Sequence, residues 1–207
     1  MSKSPIVFVF SLAALLVAGT TQADDSSADY SRSGWYFGAG GGGGSDFLND
    51  SVQDETGGNV DLSVGPSANA RVGYRATSWF AFEIMYEGIY DTNVEVVGVD
   101  AATQNLHTVA GNFKFLLPTW RFQPYIMAGP GGQYGDFDGK GIFDGLDTTR
   151  WDFVVRTALG LDCYITENWL INFEVAPSVR FADYTDVPSQ VTDNVTLTYG
   201  LGFQYRM

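Results

Sequence analysis

The sequence predicts an all-β protein: an eight-stranded antiparallel up-and-down transmembrane β-barrel with short periplasmic turns and long extracellular loops. Three observations predict it: an export signal, segments in which apolar and polar residues alternate, and connections that are alternately short and long. The composition agrees with this class. Aromatic residues at 15% exclude a disordered chain, one Cys excludes a disulfide scaffold, and a net charge of −13 argues against nucleic-acid binding.

The first 23 residues have the features of a cleaved signal peptide. Lys3 provides a basic start, residues 6–18 form an apolar run, and Thr21 and Ala23 occupy positions −3 and −1 of the predicted cleavage site. The alternative, an N-terminal membrane anchor, needs ~20 helical residues, and this run has 13. The sequence therefore divides into a signal peptide at 1–23, a short lead at 24–33 and a barrel at 34–207.

Alternation is clearest at residues 151–163 and 195–207, where one face is mainly apolar and the other is mostly small, polar or charged. A period of two over such lengths indicates a strand, and both segments exceed the ~5–6 residues of a mean soluble strand. Six further strands show weaker alternation and lie near 35–41, 69–74, 80–87, 109–115, 125–134 and 171–176. The glycine-rich segment 125–134 does not reveal which of its residues face inward.

The connections fall into two classes. Three are short, at 75–79, 117–123 and 164–168, and four are long and polar, at about 44–66, 88–106, 135–150 and 181–193. Rings that favour the membrane–water boundary stand at or beside the short turns, namely Trp79, Trp120, Phe122, Tyr164 and Trp169. The alternative is a secreted soluble β-protein with its apolar face inward. Charges in mid-strand, the two loop classes and the export signal together favour the barrel.

Six charged residues lie on the polar faces and form a predicted polar network of the lumen: Arg71, Glu83, Lys114, Arg156, Asp162 and Glu174. Arg71 and Glu83 are equidistant from the first short turn, and Arg156 and Glu174 flank the third, so each pair is expected to meet across its hairpin. Eight strands enclose a lumen just wide enough for side chains to fill it. We expect a structural plug rather than a switchable ionic gate, because unpaired charge in a narrow lumen is costly.

Five short motifs carry a resemblance to a known family. In chain order they are GWYFGAG at 34–40, VGYR at 72–75, FEIMY at 82–86, PYIMAG at 124–129 and LGLDCYIT at 159–166. With this order and spacing, essentially the whole mature chain resembles the small eight-stranded outer-membrane barrels of Gram-negative bacteria, the OmpA transmembrane-domain-like and Opa-type group. The resemblance implies the same fold and an outer-membrane location.

The resemblance also implies roles for single residues. Glu83 and Asp162 match acidic positions of an interior network and Lys114 matches a basic one, whereas Asn172 stands where the family has a basic residue. The C-terminus resembles the family's assembly signal, with the matching residues Gly200, Phe203, Tyr205 and Met207. The final residue of the family is usually aromatic, and here it is Met207.

Two patterns suggest chemistry. His107 is the single His of the chain and lies where the second long loop meets the fourth strand. Lipid A-modifying barrel enzymes use a His with a Ser and an acid, but no Ser lies close to His107 in sequence. A non-enzyme is therefore the prediction, and a lipid A-modifying enzyme is the second alternative. Segment 136–147 resembles a calcium loop by its spacing of four carboxylates around Gly141, namely Asp136, Asp138, Asp144 and Asp147. Lys140 and the final Asp depart from that pattern, so an acidic surface loop is the favoured interpretation.

The predicted function is that of an outer-membrane barrel with a structural or surface-interaction role and a lumen filled by side chains. A narrow channel for ions or small hydrophobic solutes is the alternative. The expected partners are outer-membrane lipid, lipopolysaccharide and the barrel assembly machinery. No nucleic acid and no resident cofactor are expected, apart from a possible Ca²⁺ or other divalent cation at the acidic loops, and the barrel is expected to be a monomer reached by Sec-type export with signal-peptide cleavage.

Overall fold

The computed structural model describes residues 29–47, 60–62, 64–96, 99–139, 148–181 and 194–207. The predicted signal peptide and the first residues of the lead, 24–28, lie outside this set, as do most of the loops at 48–59, 140–147 and 182–193. No helix in the described part of the chain is long and apolar enough to span a membrane.

The described residues form nine strands joined in one antiparallel sheet. In chain order the strands are β1 (Gly34–Phe47), β2 (Val60–Leu62), β3 (Gly65–Arg75), β4 (Phe80–Val96), β5 (Val99–Leu116), β6 (Phe122–Gly139), β7 (Thr148–Tyr164), β8 (Trp169–Phe181) and β9 (Asn194–Arg206). Eight of them pair with both neighbours in a ring, which closes where β1 pairs with β3 on one side and β9 on the other. The predicted eight-stranded barrel is therefore confirmed.

The ninth strand, β2, lies outside the ring and pairs with the far end of β4. Strands β4 to β7 are 17 or 18 residues long, so their hairpins continue beyond the ring into the predicted long connections at 88–106 and 135–150. The sequence missed these extensions because apolar and polar residues stop alternating along the chain before the backbone pairing ends. Backbone pairing between antiparallel strands does not itself require that alternation.

The two faces of the barrel are reversed relative to a soluble protein. Large apolar side chains point outward and are exposed, as in Phe203 at 61%, whereas charged side chains point inward, as in Glu83 and Arg156 at 0%. A soluble sandwich with an apolar interior is thereby excluded. The faces of the fifth ring strand (β6), which the sequence left open, are also resolved: Tyr125 and Met127 face the lumen and Ile126 faces outward.

Candidate functional site in the lumen

The lumen holds the candidate site, and the structure brings all six predicted network residues into it. Each is at most 8% exposed. Strand alternation places them there, because every second residue of a ring strand faces inward. We call the three turns that join β3–β4, β5–β6 and β7–β8 the short-turn end of the barrel, and the opposite side the long-loop end.

Glu174 is the centre of the network. Its Oε2 lies 2.9 Å from Arg71 Nη1, and its Oε1 lies 2.7 Å from Arg156 Nη2. The Tyr125 hydroxyl donates a further hydrogen bond to Oε2 at 2.6 Å. One carboxylate thus pairs with two buried guanidinium groups, and such charge-assisted bonds are about twice as strong as neutral ones.

The predicted hairpin partners also meet. Arg71 Nη1 lies 3.6 Å from Glu83 Oε1, and Glu83 Oε2 accepts a 3.0 Å hydrogen bond from the Tyr36 hydroxyl. Arg156 Nε lies 3.7 Å from Glu87, which shares the inward face of β4 with Glu83 but is not one of the six predicted network residues. Glu87 also accepts a hydrogen bond from Thr198 at 3.2 Å.

Lys114 forms a separate pair on the other side of the lumen. Its Nζ lies 2.7 Å from Asp162 Oδ2 and 3.8 Å from the centre of the Tyr125 ring. A cation over an aromatic face gains additional electrostatic attraction, more so when it is desolvated. Three cations and four carboxylates, with Glu87 included, leave the central network close to electrically neutral.

Glycines on β1 and β9 make room for the long side chains that cross the lumen. Arg71 on β3 reaches Glu174 on β8 past these two intervening strands. A Cβ added to Gly38 would lie 3.1 Å from Arg71 Cγ, and a Cβ added to Gly202 would collide with the Asn172 amide. Glycine on the inner face of β1 and β9 is therefore what lets the network span the lumen.

Two tyrosines pack over glycine in the same way. The Tyr36 ring lies over Gly73, its register partner on β3, and the Tyr125 ring lies over Gly160, its partner on β7. Any side chain on either glycine would overlap the ring. Both hydroxyls then reach the central carboxylates, so the two rings seal the lumen beside the ion pairs.

The short-turn end is closed by residues of the lead, for which the sequence predicted no structural role. Tyr30 is buried, and its carbonyl accepts hydrogen bonds from Arg206 at 2.9 Å, Gln123 at 3.1 Å and Arg75 at 3.2 Å. Its ring packs against Tyr164 at 5.4 Å between centroids. The sequence has no periodic pattern that predicts a residue inserted into this end of the barrel. Arg206, a charged residue on the polar face of the last strand, was the feature from which a polar partner at this end could have been expected.

A second polar cluster lies toward the long-loop end. Gln133 donates to Thr108 at 3.0 Å and accepts from Arg180 at 2.8 Å, and Arg180 also lies 3.7 Å from Asp152. Between this cluster and the central network the lumen is filled in part by buried Val154.

Two small cavities of the described barrel flank the central network, one on each side. Each is about 10 Å³, close to the space that a single water needs. The first touches Arg71, Glu87 and Glu174, and the second touches Lys114, Asp162 and Arg206. Neither one is large enough to carry a solute through the described part of the barrel.

The other predicted residues lie away from the lumen. His107 faces outward among aromatic rings, with Nδ1 2.8 Å from the Tyr86 hydroxyl and its ring centre 6.2 Å from that of Tyr134. Asp136 and Asp138 are exposed at the end of β6, whereas Asp144 and Asp147 lie outside the described residues. Within the described ranges, no group of three or more His, Cys, Asp or Glu residues is placed to hold a metal ion.

The assembly-signal residues occupy β9 and the residue after it. Phe203, Tyr205 and Met207 are exposed on the outer face, and Gly200 faces the lumen beside Gly42. Cys163 is half-buried on β7, on the outer face that the alternation predicts for it.

Comparison with known proteins decides the family. The model of the outer membrane protein beta-barrel domain matches residues 10–206, nearly the whole chain. The chain belongs to this family. The outer-membrane beta-barrel predicted from the sequence motifs is therefore confirmed, and with it the outer-membrane location. No curated protein matches the chain in sequence.

Solved outer-membrane barrels share the fold at low sequence identity. Neisserial surface protein A is 13% identical with a TM-score of 0.63, covering 85% of this chain and 99% of that one. The attachment invasion locus protein Ail of Yersinia pestis is 13% identical with a TM-score of 0.54, over 84% and 99%. The outer membrane protein OprG of Pseudomonas aeruginosa is 14% identical with a TM-score of 0.54, over 86% and 99%.

Proposed function

We propose that this outer-membrane beta-barrel is a sealed structural protein whose long-loop end is its interaction surface. The observation that carries the proposal is the central network, in which Glu174 holds Arg71 and Arg156 at 2.9 and 2.7 Å. These residues cross the lumen rather than lining a passage along it. Because one fold can serve many functions, the proposal rests on the filled lumen rather than on the fold.

Ion passage would require the central pairs to separate. Breaking a buried ion pair costs on the order of 3–5 kcal/mol, since the charges left behind are desolvated and unpaired. Tyr36 and Tyr125 would also have to leave their glycine partners. A stable plug therefore accounts for the side chains better than the alternative of a narrow channel does.

Planar-bilayer conductance of the purified barrel tests the plug. We expect wild type to show no discrete single-channel steps in 1 M KCl. Glu83→Ala and Lys114→Ala, which each remove one charge from the network, should leave that baseline unchanged. Reproducible wild-type steps that either substitution alters would contradict the plug and support the channel.

The long-loop end is the part of the barrel that the proposal assigns to interactions. The β4–β5 and β6–β7 hairpins extend at this end beyond the last β7–β8 pair, which joins Phe153 and Phe181. Asp91, Asp136 and Asp138 are exposed there. A protruding acidic surface suits a basic partner or divalent cations held between it and anionic lipopolysaccharide.

Calcium binding by segment 136–147 stays a prediction within this proposal. Calorimetric titration of Ca²⁺ into the detergent-solubilised barrel should give saturable heat if the four Asp side chains converge, and Asp144→Asn should abolish it. The absence of heat in wild type would leave an acidic surface loop without a cation site.

The proposal includes no catalytic role. The rings that the structure places against His107 belong to Tyr86, Tyr90 and Tyr134, and its Nδ1 lies 2.8 Å from the Tyr86 hydroxyl, so the described contacts of this imidazole are those of an aromatic cluster. Mass spectrometry of lipid A from cells with and without the protein should show identical species. A change that disappears in His107→Ala would establish a lipid-modifying enzyme instead.

Export and assembly complete the proposal. We infer Sec-type export, cleavage after Ala23 and insertion by the barrel assembly machinery as a monomer, with Phe203 and Tyr205 as the outward-facing part of the signal. N-terminal sequencing of the protein from outer membranes should begin at Asp24. A first residue within 6–18 would contradict the predicted cleavage.

A further inference from the structure

The second of the two cavities lies between the central network and the short-turn end, and we call it the short-turn cavity. Its volume is about 10 Å³, and the residues that line it include Asp162 of β7 and both Gln204 and Arg206 of β9. All three side chains are at most 2% exposed. The cavity therefore brings together polar side chains from two strands that do not pair with each other.

Each of these three side chains has a polar atom that is buried and has no hydrogen-bond partner among the described residues. The atoms are Oδ1 of Asp162, Nε2 of Gln204 and Nε of Arg206. The first is an acceptor and the other two are donors. Because a buried polar atom without a partner costs free energy, a molecule that satisfied all three atoms would be stabilised in the cavity.

The size and the polar atoms of the short-turn cavity select its occupant. A volume of about 10 Å³ is close to the space that one water needs, and a buried water makes about three hydrogen bonds. A cation would meet the two donors, and an anion would meet the Asp162 carboxylate. A water can accept two hydrogen bonds and donate one, so it alone of the three matches the whole set.

We propose that the short-turn cavity binds one structural water, which accepts hydrogen bonds from Gln204 and Arg206 and donates one to Asp162. The inference rests on the proposed plug and deepens it. The other carboxylate oxygen of Asp162 lies 2.7 Å from Lys114 Nζ, and Nη1 of Arg206 donates to the Tyr30 carbonyl at 2.9 Å. The water thereby joins the Lys114 ion pair to the lead that closes the short-turn end. Such a bridge is nearly as favourable in enthalpy as a direct hydrogen bond.

Nuclear magnetic resonance of the mature barrel in a neutral detergent tests the water directly. The measurement is the transfer of magnetisation from water to the Nε–H protons of arginine in the ¹⁵N-labelled, carbon-deuterated protein. In the rotating frame, transfer through space and chemical exchange have opposite signs, so a bound water is distinguished from proton exchange. We expect a through-space cross-peak at Arg206. Arg156 Nε is also buried without a hydrogen-bond partner but lines neither cavity, so it should give none.

Three variants identify the partners of the water. Gln204→Met keeps the length of the side chain but removes one of three partners, so the Arg206 cross-peak should fall at least about twofold. Gln133→Met makes the same change at a glutamine that is equally buried, at 2%, but lines neither cavity, and should leave the cross-peak unchanged. Tyr164→Phe removes a hydroxyl that accepts from Arg206 at 3.0 Å and could relay magnetisation from solvent, and the cross-peak should persist.

Only variants whose heat-modifiable migration shows a folded barrel are compared, and the wild-type comparison of Arg206 with Arg156 decides even if none folds. The proposal is overturned if wild type gives no through-space cross-peak at Arg206, or if Arg156 gives an equal one. It is also overturned if Gln204→Met leaves the cross-peak undiminished, if Gln133→Met reduces it equally, or if Tyr164→Phe abolishes it.

Conductance of the same wild-type sample reports on the plug separately. A silent bilayer without the cross-peak would overturn the bound water and leave the plug intact. Discrete channel steps would instead contradict the plug on which the inference rests.

Discussion

Replacing Glu174 by Gln would test the plug at its centre. The substitution keeps the shape of the side chain and one carbonyl acceptor but removes the negative charge with which both Arg71 and Arg156 pair. Their remaining carboxylates are more distant, with Glu83 at 3.6 Å from Arg71 and Glu87 at 3.7 Å from Arg156. Glu174→Gln therefore leaves two buried guanidinium groups only weakly compensated.

The expected loss follows from these contacts. Removing one partner of a buried ion pair costs on the order of 3–5 kcal/mol. The Gln carbonyl keeps part of the hydrogen bonding, and Glu83 and Glu87 supply some compensation, so we expect about 3 kcal/mol in the free energy of unfolding. Urea unfolding in phosphatidylcholine vesicles, followed by heat-modifiable migration on a gel, measures this difference. The m-value should not change, because the surface buried in the folded barrel is the same.

Glu167→Gln is the matched control. Glu167 lies in the third short turn and is partly exposed, so its substitution should alter the free energy of unfolding by less than about 0.5 kcal/mol. If Glu174→Gln lost less than about 1 kcal/mol, or no more than Glu167→Gln, the ion pairs would not hold the plug together and the reasoning would fail.

Three further predictions use the same unfolding assay. Gly160→Ala should lower the free energy of unfolding by about 1–3 kcal/mol, because a Cβ there overlaps the Tyr125 ring. The control Gly132→Ala should be near neutral, since its Cβ would lie 3.6 Å from the Trp151 ring. Equal losses in the two variants would contradict the ring packing. Tyr30→Ala should lower the free energy of unfolding by about 3 kcal/mol, because it removes the packing of this ring at the short-turn end. A loss below about 0.5 kcal/mol would show that the lead does not close the short-turn end. Leu201→Arg should lower the free energy of unfolding in lipid vesicles by about 2–4 kcal/mol, because it places a charge on the outer face. An unchanged free energy would mean that the outer face does not contact the bilayer.

The strands and their faces were largely predictable from the sequence. Segments 151–163 and 195–207 alternate because one face meets lipid and the other meets the lumen, and both are strands. The extensions of β4 to β7 were missed because the alternation of apolar and polar residues ends before the backbone pairing does. Segment 125–134 was ambiguous since glycines at Gly129, Gly131 and Gly132 remove the side chains that report a face.

The charged residues of the site were predictable, but most of their partners were not. Equal spacing from the turn placed Arg71 and Glu83 on one hairpin, but the register pairs Arg71 with Met85 and Glu83 with Gly73, so the two side chains meet diagonally. Glu174 lies 103 residues from Arg71 and across two intervening strands, and no local pattern encodes that distance. Tyr30 precedes the first strand and carries no periodic signal at all.

The run of glycines at 40–44 had no explanation in the sequence. In the structure, Gly40 and Gly42 pair with Gly202 and Gly200. A Cβ on Gly40 would lie 2.5 Å from the Leu201 carbonyl oxygen, and a Cβ on Gly42 would collide with the backbone of β9. The glycines therefore permit close approach of the first and last strands where the barrel closes.

The central claim is that the chain is an outer-membrane barrel with a polar, filled interior. Heat-modifiable migration of the protein from fractionated cells tests it most directly. The account predicts that unboiled protein from the outer-membrane fraction runs faster than boiled protein. Recovery in the soluble periplasmic fraction, with the same migration before and after boiling, would contradict it.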